Sequence, residues 1–249
     1  MCRESQPKPC VYTKLSMYMP QFRVLELFHR AKNMKNQAEY YRQRANEYEL
    51  VYQKSERQSD LLKIEKYLEK QFIDKQIIEL GCGTGFWTEK LAKKCKSILA
   101  IDINKEVIEI ALVKSYTRNI VEFAINDLTK LENRESKLEG LFGGFIWSHI
   151  KKEEIQDFMK ICFSQIKEPC ELIFIDNKYV EGSSTPINRV DENGNQYQIR
   201  RLKSGKEYEI VKNFPDQKEF AKSINYELEE IEWMELKYYW IVKIEKRKW

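Results

Sequence analysis

The stretch IIELGCGTGFWTEKL, Ile77 to Leu91, decides how this chain folds. An apolar run stops at Gly81, glycines recur at 83 and 85, and apolar residues then resume at helical spacing. A strand feeding a helix through a tight turn has this pattern. Glycines without Cβ atoms let the backbone turn sharply and bring a ligand against the amides that open the helix. In an open α/β sheet, ligands gather at that edge, outside the carboxyl ends of the strands.

Outward from this turn the chain alternates. Strands are expected over Gln76 to Leu80, Ser97 to Ile101, Val121 to Ile125, Gly144 to Trp147 and Glu171 to Ile175. Helices are expected over Phe86 to Lys94, Lys105 to Lys114 and Lys152 to Ile166, with a charged loop over Leu128 to Glu139. Strands separated by helical runs of this length imply βαβ units and a parallel sheet. The tail YELEEIEWMELKYYWIVKIEKR holds two strand-like runs about a turn near Lys237, so these two should be antiparallel. Upstream, AEYYRQRANEYELVYQ and SDLLKIEKYLEKQF carry apolar residues three and four apart and predict two helices.

Length and composition bound the rest. At 249 residues and 42% hydrophobic, the chain can bury a sizeable core. Six scattered cysteines, Cys2, Cys10, Cys82, Cys95, Cys162 and Cys170, form no CxxC pair and sit with no histidine cluster, so neither a metal site nor a disulfide framework is indicated. They read as reduced thiols of a cytoplasmic protein, and no apolar run is long enough to span a membrane. The net charge of +4 lies wholly in residues 1–33; the other 216 residues carry 37 charges of each sign. A nucleic-acid binder draws most of its affinity from phosphate neutralisation, so balance in the body argues against a nucleic-acid partner. Residues 1–33 themselves read as an N-terminal extension, disordered or non-native with Met34 as the natural start; a short docking helix over Phe22 to Lys32 and a weak targeting peptide are the alternatives.

The glycine spacing narrows the ligand. A dinucleotide fingerprint needs its third glycine one residue later, where Phe86 stands, and a P-loop needs Gly-Lys-Ser/Thr, which Phe86-Trp87-Thr88 does not supply. Glu79-x-Gly81-x-Gly83-x-Gly85 resembles the first motif of the class I S-adenosylmethionine-dependent methyltransferases, small-molecule type. ILAIDIN ends the second strand with Asp102, VEFAINDL ends the third with Asn126 and Asp127, and GGFIWSHI supplies the fourth, all in that family's order. The resemblance covers roughly Gln37 to Trp249 and implies an α/β, Rossmann-like fold: a seven-stranded, mostly parallel sheet with helices on both faces and a C-terminal antiparallel pair. Residues 34–249 would form one methyltransferase domain, with lid helices over 37–72 and an inserted hairpin arm over 177–213.

The resemblance assigns S-adenosyl-L-methionine as cofactor, held by Glu79, Gly81, Cys82, Gly83, Gly85, Asp102, Ile103, Asn126, Asp127, Leu128 and Trp147. Asp102 would accept the ribose hydroxyls, Asp127 would meet the adenine amino group, and Glu79 would help hold the methionine amino group. Each has a structural alternative: a helix cap for Asp102, a surface carboxylate for Asp127 and a strand-end charge for Glu79. Methyl transfer from a sulfonium is an in-line displacement, so positioning and exclusion of water are the main demands. His149 follows the fourth strand, and its ordinary pKa of about 6.5 suits a base; packing or positioning is the alternative.

Tyr41, Arg44 and Tyr48 share a helical face that would close over the cofactor, and Arg44 among tyrosines wants a carboxylate. IRRLKSGKEYEIVKNF alternates about Ser204-Gly205 as a hairpin, with Asp176 at the strand edge and Arg201, Tyr208 and Lys212 able to reach an anionic substrate, or to lie on a solvated face. No N/D-P-P-Y/F segment follows the fourth strand, and Pro169-Cys170 lies away from the binding edge. The acceptor implied is a small molecule methylated at O, N or S by a monomer or homodimer. The alternatives are an RNA or protein methyltransferase of the same fold and a non-catalytic cofactor-binding protein.

Overall fold

The computed structural model describes residues 36–116, 120–128, 131 and 138–245, so the readings made for residues 1–33 lie outside the described residues. Helical residues 36–43 and the 3₁₀ segment Ala45–Tyr52 lead into α1 (Gln58–Gln71). There follow β1 (Gln76–Leu80), α2 (Phe86–Leu91), β2 (Ser97–Asp102), α3 (Lys105–Leu112), β3 (Val121–Ile125) and β4 (Leu138–Gly144). Then come α4 (Ile155–Gln165), β5 (Ile166–Asn177), β6 (Arg189–Val190), β7 (Gln196–Arg201), β8 (Glu207–Val211), α5 (Gln217–Ser223), β9 (Ile231–Glu235) and β10 (Tyr239–Glu245).

The main sheet has seven strands in the order β3-β2-β1-β4-β5-β10-β9. β1 to β5 run parallel, and β10 enters antiparallel between β5 and β9. The order reverses between β1 and β4, which opens a crevice at their carboxyl ends. Alternate strand residues point to opposite faces and fill two core layers. One layer joins Ile78, Leu80, Leu141 and Phe174 to Phe158, Met159 and Cys162 of α4 and Phe220 of α5. The other joins Ile77, Ile98, Ile173 and Ile241 to Leu61, Ile64 and Leu68 of α1 and Trp87 and Leu91 of α2. Burial of each such side chain contributes about 1.5–3 kcal/mol. Helices therefore cover both faces.

The fourth strand differs from expectation. It spans Leu138–Gly144, and Trp147–His149 is a 3₁₀ turn beyond it. Glycine ordinarily weakens a strand interior, which is why this one was not expected here. The packing explains its use: a Cβ on Gly140 would sit 2.8 Å from Phe72, and one on Gly143 would sit 2.6 Å from Phe174. Large rings on both faces of the sheet occupy the space that side chains would have taken. The fifth strand also starts earlier than expected, at Ile166, directly after α4.

After β5, β7 and β8 pair as a hairpin, joined by β6 into a separate three-stranded sheet, called the arm below. Among the described residues no helix is long and apolar enough to cross a membrane, and Cys82, Cys95, Cys162 and Cys170 are free and buried.

Candidate active site

The turn after β1 runs through three positive φ angles, +66° at Gly81, +55° at Gly83 and +79° at Gly85, a region that residues with a Cβ enter only at a cost. At Gly85 the space is closed as well, since a Cβ would lie 2.6 Å from the Tyr116 hydroxyl and 3.1 Å from Ala111. Cys82 is buried between these glycines, its amide donating to the Ile101 carbonyl at 3.0 Å. Asp102, at the end of β2, accepts from the Gly83 amide at 3.0 Å and from the Asn104 amide at 2.9 Å. Its carboxylate thus braces the turn and retains lone pairs for a diol. Burial raises its pKa, against the pull of those two amides.

Glu79 is buried on β1 and accepts from the Thr88 hydroxyl at 2.6 Å. Burial pushes its carboxyl up to about 8. Ile103 and Asn126 lie exposed at the same edge, with Asp127 and Leu128 half-buried beside them. Trp147 departs from its assignment: it is 1% exposed and packs with Phe158, Phe174 and Phe220 in the core.

The 3₁₀ segment Ala45–Tyr52 lies over the glycine turn. A Cβ on Gly83 would meet the Tyr48 ring at 3.3 Å, and the Thr84 hydroxyl donates to Glu49 at 2.8 Å. Tyr52 stacks on Phe86, ring centroids 3.8 Å apart, so the aromatic that stands in place of a third fingerprint glycine seats this segment. Tyr41, Arg44 and Tyr48 all line the cavity between this segment and the sheet edge.

That cavity, about 140 Å³, is closed on its far side by the inserted arm. Tyr41 and His149 meet within it, the tyrosine oxygen 2.6 Å from Nε2. His149 Nδ1 lies 2.8 Å from the Val211 carbonyl, which can only accept, so Nδ1 carries the proton and Nε2 accepts from Tyr41. Burial, then the Lys212 charge, lowers the His149 pKa to about 3, so the ring is neutral with a lone pair directed into the cavity. Lys212 Nζ lies 3.1 Å from Asp176, which also accepts from the Ser148 amide at 2.9 Å and the Asn177 amide at 2.7 Å. The ion pair is 6% and 0% exposed and ties β8 of the arm to β5 of the body.

The hairpin presents a different face from the one expected. Arg201 is exposed and pairs with Glu207, and Tyr208 packs on Tyr40 outside the cavity. Arg200 lines the cavity instead, with Gln198, because neighbours along a strand point to opposite faces. Sequence reasoning missed Arg200, and it missed Arg57, buried just before α1. The pairing of Arg201 with Glu207 across the Ser204-Gly205 turn was the available signal, since it fixes which hairpin face is solvated.

Residues 77–168 match a family described as a methyltransferase domain. Probable ribosomal RNA small subunit methyltransferase A of Pyrococcus abyssi is 35% identical over 71 residues, and the Mesomycoplasma hyopneumoniae enzyme 39% over 67. These alignments span 28% and 26% of this chain and only about a quarter of those proteins, 26% and 25%. Among solved structures, DhpI with SAH superposes with a TM-score of 0.70 at 21% identity, covering 85% of this chain and 95% of that one. The PH0226 protein from Pyrococcus horikoshii superposes at 0.61, with 16% identity over 78% of this chain and 92% of its own. The methyltransferase-domain match thus covers the stretch from β1 to the start of β5, glycine turn included, and the fold is shared with DhpI and the PH0226 protein.

Proposed function

We propose that this protein is an S-adenosylmethionine-dependent methyltransferase, and that it methylates an oxygen, nitrogen or sulfur of a small molecule held in the cavity between lid, arm and sheet edge. The observation that carries the reading is the convergence of two elements on one cavity of about 140 Å³: Tyr41, Tyr48 and Tyr52 from the lid and Gln198, Arg200 and Lys212 from the arm all line it. The donor and acceptor set fits the cofactor. Asp102 would hold the ribose, the bare Gly81–Gly85 backbone would lie against the nucleoside, and Asp127 would meet the adenine. The cofactor supplies an electrophilic methyl carbon on a sulfonium.

The protein's part is to orient the acceptor, exclude water and take up a proton when the acceptor carries one. The His149 lone pair is the group placed for that step. An acceptor hydroxyl, thiol or ammonium that displaces Tyr41 from Nε2 would give its proton there as the methyl group transfers, with Asp176 favouring the imidazolium against burial and the Lys212 charge. His149→Ala should lower turnover at least tenfold while changing S-adenosylhomocysteine affinity less than threefold; equal turnover removes His149 from the chemistry. The partial likeness to ribosomal RNA methyltransferases supports a second reading, in which the substrate is RNA. Salt-dependent retention on RNA, with methyl incorporation into it, would favour that reading over a small-molecule acceptor.

A further inference from the structure

The described arginines fall into two groups. Arg42, Arg189 and Arg201 lie outside the cavity, and each pairs with a glutamate: Glu39, Glu209 and Glu207. Arg44, Arg57 and Arg200 line the cavity, and none has a carboxylate within ion-pair distance among the described residues. Lys54 and Lys212 line it too, and no aspartate or glutamate does. Asp176 answers Lys212 from behind, which leaves the guanidinium charges uncompensated.

Arg57 is the sharpest case, at 8% exposed. Its Nη atoms donate to Asn177 Oδ1 at 3.2 Å and Ser183 Oγ at 3.1 Å, and its Nε is buried with no partner. Its guanidinium rests 5.1 Å from the centre of the Tyr238 ring. Arg200 donates to Thr185 Oγ1 at 2.8 Å and Gln198 Oε1 at 2.7 Å, and its Nε is likewise buried and unbonded. The two therefore bracket the loop Ser183-Ser184-Thr185, which also lines the cavity. A buried guanidinium with only neutral partners is costly unless an anion completes the site. The planar fork of arginine suits a group with two or three oxygens.

One carboxylate comes with the cofactor, and Arg44, one helical turn before Tyr48 over Gly83, is placed to take it. Arg57 and Arg200 remain. We infer that the methyl acceptor is an anion whose carboxylate or phosphate group sits between Arg57 and Arg200 against Ser183, Ser184 and Thr185. The inference rests on the small-molecule reading above and adds the substrate class to it.

The test begins with S-adenosylhomocysteine titrated into the full chain. The loaded protein is then titrated with sodium phosphate and with sodium acetate at fixed ionic strength. Saturable binding of either anion is expected; tighter phosphate indicates a phosphoryl acceptor and tighter acetate a carboxylate. Arg57→Gln and Arg200→Gln should each weaken that binding at least tenfold with S-adenosylhomocysteine affinity changed less than threefold, while Arg201→Gln has no effect. Normal cofactor binding with no saturable anion in the wild type overturns the anion subsite alone, and needs no variant to fold. Anion binding that survives both substitutions overturns it too. Failure to bind S-adenosylhomocysteine overturns the methyltransferase reading and this inference with it.

Discussion

Replacing Lys212 by Met removes the cation from the most buried ion pair among the described residues and leaves Asp176 without it. The remaining contacts of Asp176, the backbone amides of Ser148 and Asn177 and the Asn177 side-chain amide, solvate the carboxylate in part. Breaking a buried pair from one side costs about 3–5 kcal/mol, because a charge stays in a low-dielectric site without its partner. The Ser148 hydroxyl also loses the ammonium. A loss of about 3–4 kcal/mol in urea unfolding is therefore expected for Lys212→Met. Lys212→Met with Asp176→Asn should recover at least about 1.5 kcal/mol of it, since the amide keeps an acceptor for the backbone and sheds the charge. Asp176 has its pKa held below the ordinary carboxylate range: burial raises it, and Lys212, His149 and the two amides outweigh that. A depressed carboxyl contributes stability above its unfolded pKa and loses it as pH falls through the folded one, so the wild-type advantage over Lys212→Met should shrink below about pH 4. A loss under 1 kcal/mol at pH 7, or no recovery in the double variant, would refute the reasoning.

Two further outcomes follow from the turn. Gly85→Ala should abolish measurable S-adenosylhomocysteine binding and lower the melting temperature, because a Cβ there enters the left-handed region and strikes the Tyr116 hydroxyl at 2.6 Å; a variant that binds normally would show that the turn adapts. Glu79 has its folded pKa raised to about 8, so its contribution to stability is full below about pH 4.5 and is lost as pH rises toward 8; Glu79→Gln should flatten the pH dependence of unfolding across that window, and an unchanged slope would contradict it.

Much of this architecture was legible because it rests on local patterns. The β1 turn, Asp102 at the end of β2 and the hairpin about Ser204-Gly205 each announce themselves within a few residues, through glycine chemistry and alternation. β4 did not, because its glycines make sense only against Phe72 and Phe174, which come from elsewhere in the chain. Tyr41, Arg44 and Tyr48 do line one cavity, although the single helix expected for them breaks at Arg44 into a 3₁₀ segment, whereas the Trp147 ring enters the core just beyond the end of β4. Arg57 and Arg200 were illegible for a related reason. An arginine becomes informative when its lack of a carboxylate is visible, and that depends on what the tertiary fold brings within reach.

The most direct measurement is calorimetric titration of S-adenosylhomocysteine into the wild type and Asp102→Ala. Asp102 braces Gly83 and would hold the ribose, and a charge-assisted hydrogen bond contributes about 1.5–3 kcal/mol. Micromolar binding by the wild type, weakened at least about tenfold in Asp102→Ala, is the predicted result. A folded wild type that does not bind, or an Asp102→Ala variant that binds equally well, would contradict the placement of the cofactor at this edge.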